Sequence, residues 1–326
     1  MKVTVIGERE VNELLDFPES AKKLVDAIAS AFRDYSVGRV VMPRRTVMYI
    51  DNDWWGVMPC GSRNVGFSVK IVNVIESNKL RGLPTTQGIV ILLDDTTGVP
   101  LAVINGTALT AWRTAAASAV SIKYVAVSVD NVALIGAGLQ ARYHVLLLTR
   151  VFNIKRLLIY SRTKGKAIEL MNLARDRGVD SVIVDSGFDA VKQADVVIAL
   201  TTSKEPVIYG SWLHEGMHVI SVGAPERESR EFDDDVIRKA SAIVVDSREA
   251  VINETGDIII PMKNGLLAEN NLIEIGEIIA GLRQGRSSSR DITVFKTVGI
   301  AVEDLAAASY VYRLARDRGM GVTIEL

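Results

Sequence analysis

The sequence predicts an α/β protein in two parts: a doubly wound parallel sheet joined to a smaller α+β domain. Three observations carry this. Between residues 131 and 248, six short β-branched runs alternate with helical patterns, which implies strand–helix–strand repetition. Those runs are continuously apolar, as strands covered on both faces require. Residues 46–105 instead hold strand-like runs that follow one another directly, with DDTTG as a hairpin turn, so this part is an antiparallel or mixed sheet.

In chain order, a long amphipathic helix is expected from about Pro18 to Tyr35, with Ala21, Leu24, Val25, Ile28, Ala31 and Phe32 on one stripe. RTVMYI, WWGVMP, VGFSVKIVNV, QGIVILLD and PLAVING follow as strands, then a helix from near Leu109 through Arg113 to Tyr124 that marks the domain boundary. The parallel strands are NVALIGAG (131–138), RLLIYSR (156–162), SVIVDS (181–186), DVVIALTTS (195–203), HVISVGA (218–224) and AIVVDSR (242–248). Helices are expected over Gln140 to Val151, Lys164 to Arg177 and Asp234 to Ala240. TVFKTVG is a strand-to-glycine step, and Ile300 to Arg318 is a strong helix whose packing partner periodicity does not reveal.

Composition excludes several classes. In 326 residues, Lys plus Arg (38) balance Asp plus Glu (39), so the net charge of -1 offers no footprint for nucleic acid or an anionic membrane. The lone Cys60 excludes internal disulfides and multi-thiolate metal sites. His144, His214 and His218 form no helical zinc motif, so no metal is expected. MKVTVIGEREVNELL lacks the basic-then-apolar pattern of a signal peptide, and the longest apolar runs are strand-sized. A cytoplasmic protein without membrane or nucleic-acid partners is the expectation.

Gly136-Ala137-Gly138-Leu139-Gln140-Ala141 ends a strand and opens a helix. Gly136 permits the tight turn, Gly138 lets backbone approach a pyrophosphate, and Ala141 allows close helix–strand packing, as in a Rossmann dinucleotide site. At the end of the next strand an acid would select NAD(H). Here Ser161, Arg162, Thr163 and Lys164 stand instead, which favours NADP(H) and leaves NAD(H) possible. Thr201, Thr202 and Ser203 after the fourth strand, and Val222 after the fifth, are expected to line the crevice.

Three cations stand in apolar or small-residue surroundings: Arg45 in MPRRTVM, Lys70 in VGFSVKIVNV and Arg113 in TALTAWRTAAAS. A mid-strand lysine either faces water or requires a partner for its charge, and spacing alone leaves both open. For the arginines, structural ion pairs are the usual role.

These stretches resemble the ornithine cyclodeaminase/mu-crystallin family, which includes archaeal alanine dehydrogenases and ketimine reductases. The resemblance runs through MPRRT, VKIVN, LPTTQGIVILLD, TALTAWRTAAASAVSIKYVA, GAGLQARYH, TTSKEPVI, ETGDI and VFKTVGIAVEDLAAA. It implies a substrate-binding and dimerisation domain over 1–115, completed by 300–326, a Rossmann domain over 116–299, and a homodimer built through the first domain's sheet. It further implies that Arg45 and Arg113 hold a substrate carboxylate, that Lys70 is the catalytic lysine, and that Thr114 joins Gly136, Gly138, Leu139 and Gln140 at the cofactor. The expected activity is interconversion of a small amino or cyclic imino acid with its oxo or imine form. The alternatives are ammonia release by a cyclodeaminase and cofactor retention by a mu-crystallin-type binder. One departure stands out: Ala224 and Pro225 occupy the place of the cyclodeaminase aspartate. Glu226 and Glu228 nearby read as solvated loop charges.

Overall fold

The structure, a computed structural model, describes residues 1–51, 53–223 and 226–325, so Ala224 and Pro225 lie outside the described residues. Its contacts divide it into two compact units, Met1–Arg113 with Ile300–Leu326, and Thr114–Gly299.

The first unit begins with β1 (Lys2–Ile6), α1 (Glu8–Leu15) and α2 (Pro18–Ser36). Pro18 starts α2, where its missing N–H is no loss, and the stripe of Ala21, Leu24, Val25, Ile28 and Phe32 is buried. The strands β2 (Thr46–Ile50), β3 (Asp53–Ser62), β4 (Gly66–Val74), β5 (Thr86–Leu93) and β6 (Pro100–Asn105) then form an antiparallel run. At the β5–β6 turn the Asp94 carboxylate accepts from the Thr97 N–H at 2.8 Å and the Thr97 hydroxyl at 2.6 Å. Gly98 takes the left-handed conformation (φ 71°) that closes the turn. α3 (Gly106–Val125) carries the chain from the first unit into the second.

The second unit alternates strictly at first: β7 (Asn131–Ile135), α4 (Leu139–Val151), β8 (Arg156–Tyr160), α5 (Lys164–Arg175), β9 (Asp180–Ile183), α6 (Gly187–Val191) and β10 (Val196–Ala199). There follow β11 (His218–Ser221), α7 (Asp234–Lys239), β12 (Ala242–Val245), α8 (Arg248–Glu254), α9 (Gly256–Lys263), β13 (Leu272–Glu274), α10 (Ile275–Ile279) and β14 (Thr293–Lys296). The chain returns to the first unit as α11 (Ala301–Arg318) and β15 (Val322–Glu325).

Among the described residues, the first unit's sheet has the order β15-β1-β6-β5-β4-β3-β2. Only β1 and β6 pair in parallel, so the sheet is mixed. Its inner face, including Met58, Cys60, Ser68, Val90 and Leu92, is buried, and α11 packs along β3, β4 and α2. Alanines at 306, 307 and 308 let that helix approach closely, which explains burial of nearly its whole first half. The outer face is also apolar but open: Met48, Phe67, Ile71 and Ile89 are 49%, 40%, 37% and 43% exposed. Edge strand β2 is exposed throughout.

The second sheet has the order β13-β12-β14-β11-β10-β7-β8-β9, every pairing parallel. Strand order reverses between β7 and β10, the usual place for a ligand crevice. The strand of TVFKTVG is β14, inserted between β11 and β12.

Two buried histidines tie α3 to this sheet and its helices. His144 donates from Nδ1 to the Gln140 carbonyl (2.7 Å) and accepts at Nε2 from Ser118 (2.9 Å). His218 bridges Ser121 (3.1 Å) and Thr293 (2.9 Å). Burial holds both neutral, with pKa values pushed down to about 4 and about 3, the nearby Arg286 charge adding to the effect at His218. No helix among the described residues is long and apolar enough to cross a membrane.

Candidate active site

Lys70 points into the first unit, not into water. It lies on the inner face of β4, opposite Met58 of β3 and Val90 of β5, and is 2% exposed. A buried ammonium requires a counter-charge, and the first turn of α11 supplies it: Asp304 Oδ2 lies 2.7 Å from Lys70 Nζ. The other oxygen of the same carboxylate accepts from Arg113 Nε at 3.1 Å, while Glu303 Oε2 accepts from Arg113 Nη1 at 3.2 Å. Glu303 also caps its own helix, accepting from the Ile300 N–H at 2.7 Å. Both acids are buried.

The electrostatics follow. Burial lowers the Lys70 pKa to about 8; Asp304 opposes that shift, and the positive charges of Arg113 and Arg45 reinforce it. Burial also works against the Arg113 charge, but Glu303 and Asp304 outweigh it and the guanidinium stays firmly protonated. Asp304, which burial alone would raise, is held below its ordinary range by Lys70 and Arg113. Arg45, half-buried just before β2, is close enough for its charge to be felt at Lys70. Lys70 and Arg113 are thus matched by Asp304 and Glu303, and the field of Arg45 also reaches Lys70. Among the described residues, the two acids engage two of Arg113's five donors. Cys60 on the same inner face is pushed up to about 12 by burial and by Asp304, so it is no nucleophile.

In the second unit, the glycine turn has the geometry that a dinucleotide needs. Gly136 has φ 113°, and a Cβ there would fall 2.7 Å from the Leu200 carbonyl oxygen, so no other residue fits. Gly138 stands at the N-cap of α4 with open space where a Cβ would be, and no side chain caps the helix. The first N–H groups of α4, starting at Leu139 and Gln140, are therefore available to an anion. A cavity of about 220 Å³ beside this turn is lined by Ala137, Gly138, Leu139, Arg142, Lys166 and Glu169. At the end of β8, Arg162, Thr163 and Lys164 are exposed, and Ser161 Oγ accepts from the Thr163 N–H at 3.2 Å.

Other expected cofactor residues are engaged internally. Thr201 donates both its N–H and its hydroxyl to Glu231 Oε1, each at 2.7 Å. Ser203 donates its hydroxyl to the Glu205 carbonyl (2.7 Å), whereas Thr202 is exposed. Val222 continues the ladder from β11 by donating to the Ala199 carbonyl (3.1 Å), and Thr114 is buried on α3. Glu303, Asp304 and Glu231 were not singled out by sequence reasoning, although the acidic pair at the head of the last helix and the charged stretch after the fifth strand were visible. Glu226 and Glu228 are exposed. Among the described residues no group of three or more His, Cys, Asp or Glu side chains could hold a metal.

A doubly wound unit with an open glycine turn, in one chain with a mixed-sheet unit that buries a cluster of cations and acids, defines a dinucleotide-fold protein that acts on small acids. The chain belongs to the ornithine cyclodeaminase/mu-crystallin family, whose model matches residues 8–319. A Bacillus cereus delta(1)-pyrroline-2-carboxylate reductase is 34% identical over 98% of this chain and 99% of its own length. The Thermococcus litoralis delta(1)-pyrroline-2-carboxylate reductase, solved with NADH and L-proline, superposes with a TM-score of 0.92 at 36% identity, covering 99% of this chain and 100% of that one. An archaeal alanine dehydrogenase dimer with bound NAD gives a TM-score of 0.92 at 32% identity, with full coverage of both chains.

Asp304 is expected to be indispensable to the cluster. Asp304→Ala leaves Lys70 and Arg113 buried beside a single acid and should cost about 3–5 kcal/mol in urea denaturation. A loss under about 1 kcal/mol would show that the ion cluster is not what holds α11 to β4.

Proposed function

We propose that the chain is an NAD(P)-dependent oxidoreductase that reduces a small cyclic imino acid of the pyrroline-2-carboxylate type to the amino acid, and runs the reverse reaction at alkaline pH. The first unit would bind substrate and dimerise; the second would bind the dinucleotide. The observation that carries the chemistry is Lys70: a buried lysine with its pKa brought to about 8, held 2.7 Å from Asp304, which also accepts from Arg113. Arg45 and Arg113 would grip the substrate carboxylate, since a planar guanidinium matches its two oxygens. Lys70 would donate a proton to the imine nitrogen as negative charge develops there, and take one back in the oxidative direction.

Gly136, Gly138, Leu139 and Gln140 would hold the pyrophosphate, and Ser161, Arg162, Thr163 and Lys164 the adenosine ribose, with Thr114, Thr201, Thr202, Ser203 and Val222 completing the expected set. The bound cofactor supplies the hydride. NADP(H) is the favoured form: no acid stands at the end of β8 to repel a 2′-phosphate, and the exposed Arg162 can pair with one. Lys166 in the adjoining cavity adds to that positive field.

The open outer face of the first unit supports a homodimer. In register across the antiparallel strands, Met48, Val57, Phe67, Ile71, Ile89 and Ile91 share that face. An apolar surface with an unprotected edge strand is what a second copy would cover.

Five outcomes test these assignments. Nicotinamide absorbance should report reduction of pyrroline-2-carboxylate with no ammonia released. The reductive rate should fall as pH rises through about 8, where Lys70 loses its proton, while the oxidative rate climbs over the same range. Lys70→Ala should lower kcat by about 10²–10⁴-fold with cofactor binding intact; retained turnover would remove Lys70 from the chemistry. Arg162→Asp should weaken NADPH about tenfold or more and NADH only slightly, and equal losses would refute the phosphate assignment. Ile71→Asp should shift the sedimenting species from dimer to monomer, whereas an unchanged dimer would place the interface elsewhere.

A further inference from the structure

The second unit contains a buried polar cluster whose charged members, Glu231, Asp257 and Lys296, have no role in the cofactor reading. At its centre is Glu231, 2% exposed, in the segment between β11 and α7. Its Oε1 accepts from the Thr201 N–H and the Thr201 hydroxyl, and its Oε2 from the Gly223 N–H and the Ser221 hydroxyl, all at 2.7 Å. Four donors thus converge on one carboxylate, and they come from just past β10 and from the end of β11. Gly223 is needed for this closeness, since a Cβ there would lie 2.5 Å from the Glu231 carboxyl carbon.

A second layer fixes Glu231 itself. Asp257 at the start of α9 accepts from the Glu231 and Phe232 N–H groups at 2.7 and 2.9 Å. Its other oxygen lies 3.1 Å from Lys296 Nζ, and Lys296 donates to Ser221 Oγ at 2.9 Å. All three charged side chains are buried, with two anions against one cation. Burial and the Asp257 charge raise the Glu231 pKa, against the pull of Lys296 and the donors. Keeping such a charge inside a sheet's end costs several kcal/mol unless the site is fully hydrogen-bonded.

A dinucleotide lies across the point where strand order reverses, one mononucleotide half on each side. The reversal here falls between β7 and β10, and β8 is on the adenosine side, so the ends of β10 and β11 serve the nicotinamide half. We propose that Glu231 is a positioning residue for the nicotinamide half of the site, clamping the segments after β10 and β11 in one arrangement, with Asp257 and Lys296 holding Glu231 in turn. The proposal rests on the cofactor reading above.

Glu231→Gln keeps the shape but turns one acceptor oxygen into a donor that must face Thr201 or Ser221 and Gly223. Titration of the purified protein should show NADH binding weakened about tenfold or more, while ADP, which lacks the nicotinamide half, binds within about threefold of wild type. Ser221→Ala, a smaller change that removes one donor, should shift NADH in the same direction with ADP unmoved, and decides the matter if Glu231→Gln does not fold. Equal loss for NADH and ADP, or no loss for either, would overturn the proposal while leaving the cofactor reading standing. Failure of the wild-type chain to bind NADH or NADPH would overturn both.

Discussion

One carboxylate organises the first unit. Asp304 faces Lys70 with one oxygen and Arg113 with the other, and so joins β4, α3 and α11 at a single buried point. Without it, a lysine in the middle of an inward-facing strand row would be an uncompensated charge in low dielectric. With it, the ammonium is retained, though burial first and then the charges of Arg113 and Arg45 weaken its hold on the proton. Burial, which makes the counter-charge necessary, is also what brings the ammonium's proton within reach of neutral pH, against the pull of Asp304.

The two units solve the problem of buried charge differently. In the first, carboxylates meet cations directly, so charge is compensated within the cluster. In the second, Glu231 relies on backbone N–H and hydroxyl donors, with Lys296 linked to it through Ser221 and Asp257. The first arrangement ties β4, α3 and α11 together; the second locks backbone at the ends of strands. An uncharged buried donor in the first unit is matched as simply: the Trp112 indole donates to Asn12 at 2.9 Å and anchors α3 against α1.

Much of this was legible in the sequence because local patterns encode local structure. Continuous apolar runs marked β7 to β12, the 3.6-residue stripe marked α2, and the glycines at 136 and 138 marked the turn that only they can make. Lys70 and Arg113 stood out as charges in apolar company. Their partners did not, since Glu303 and Asp304 lie some two hundred positions further along, and an acidic pair at a helix start reads equally well as a complement to the helix dipole. Glu231 was hidden for a related reason: it shares a run of charges with the exposed Glu226 and Glu228, and nothing local tells which one turns inward. β1 and β15 escaped notice because each is short and pairs with the other across the whole length of the chain. The position of β14 between β11 and β12 is a fact of strand order, which periodicity does not contain.

That late strand has a bearing on how the polypeptide matures. Because β14 fills a gap in the interior of its sheet, the second unit is incomplete until residues 293–296 have left the ribosome. The first unit waits even longer, since α11 supplies the acids that neutralise Lys70 and Arg113. Vectorial synthesis therefore delivers a nascent chain whose earlier part must stay partly open, with an unmatched cationic interior, until residues 303 and 304 have emerged.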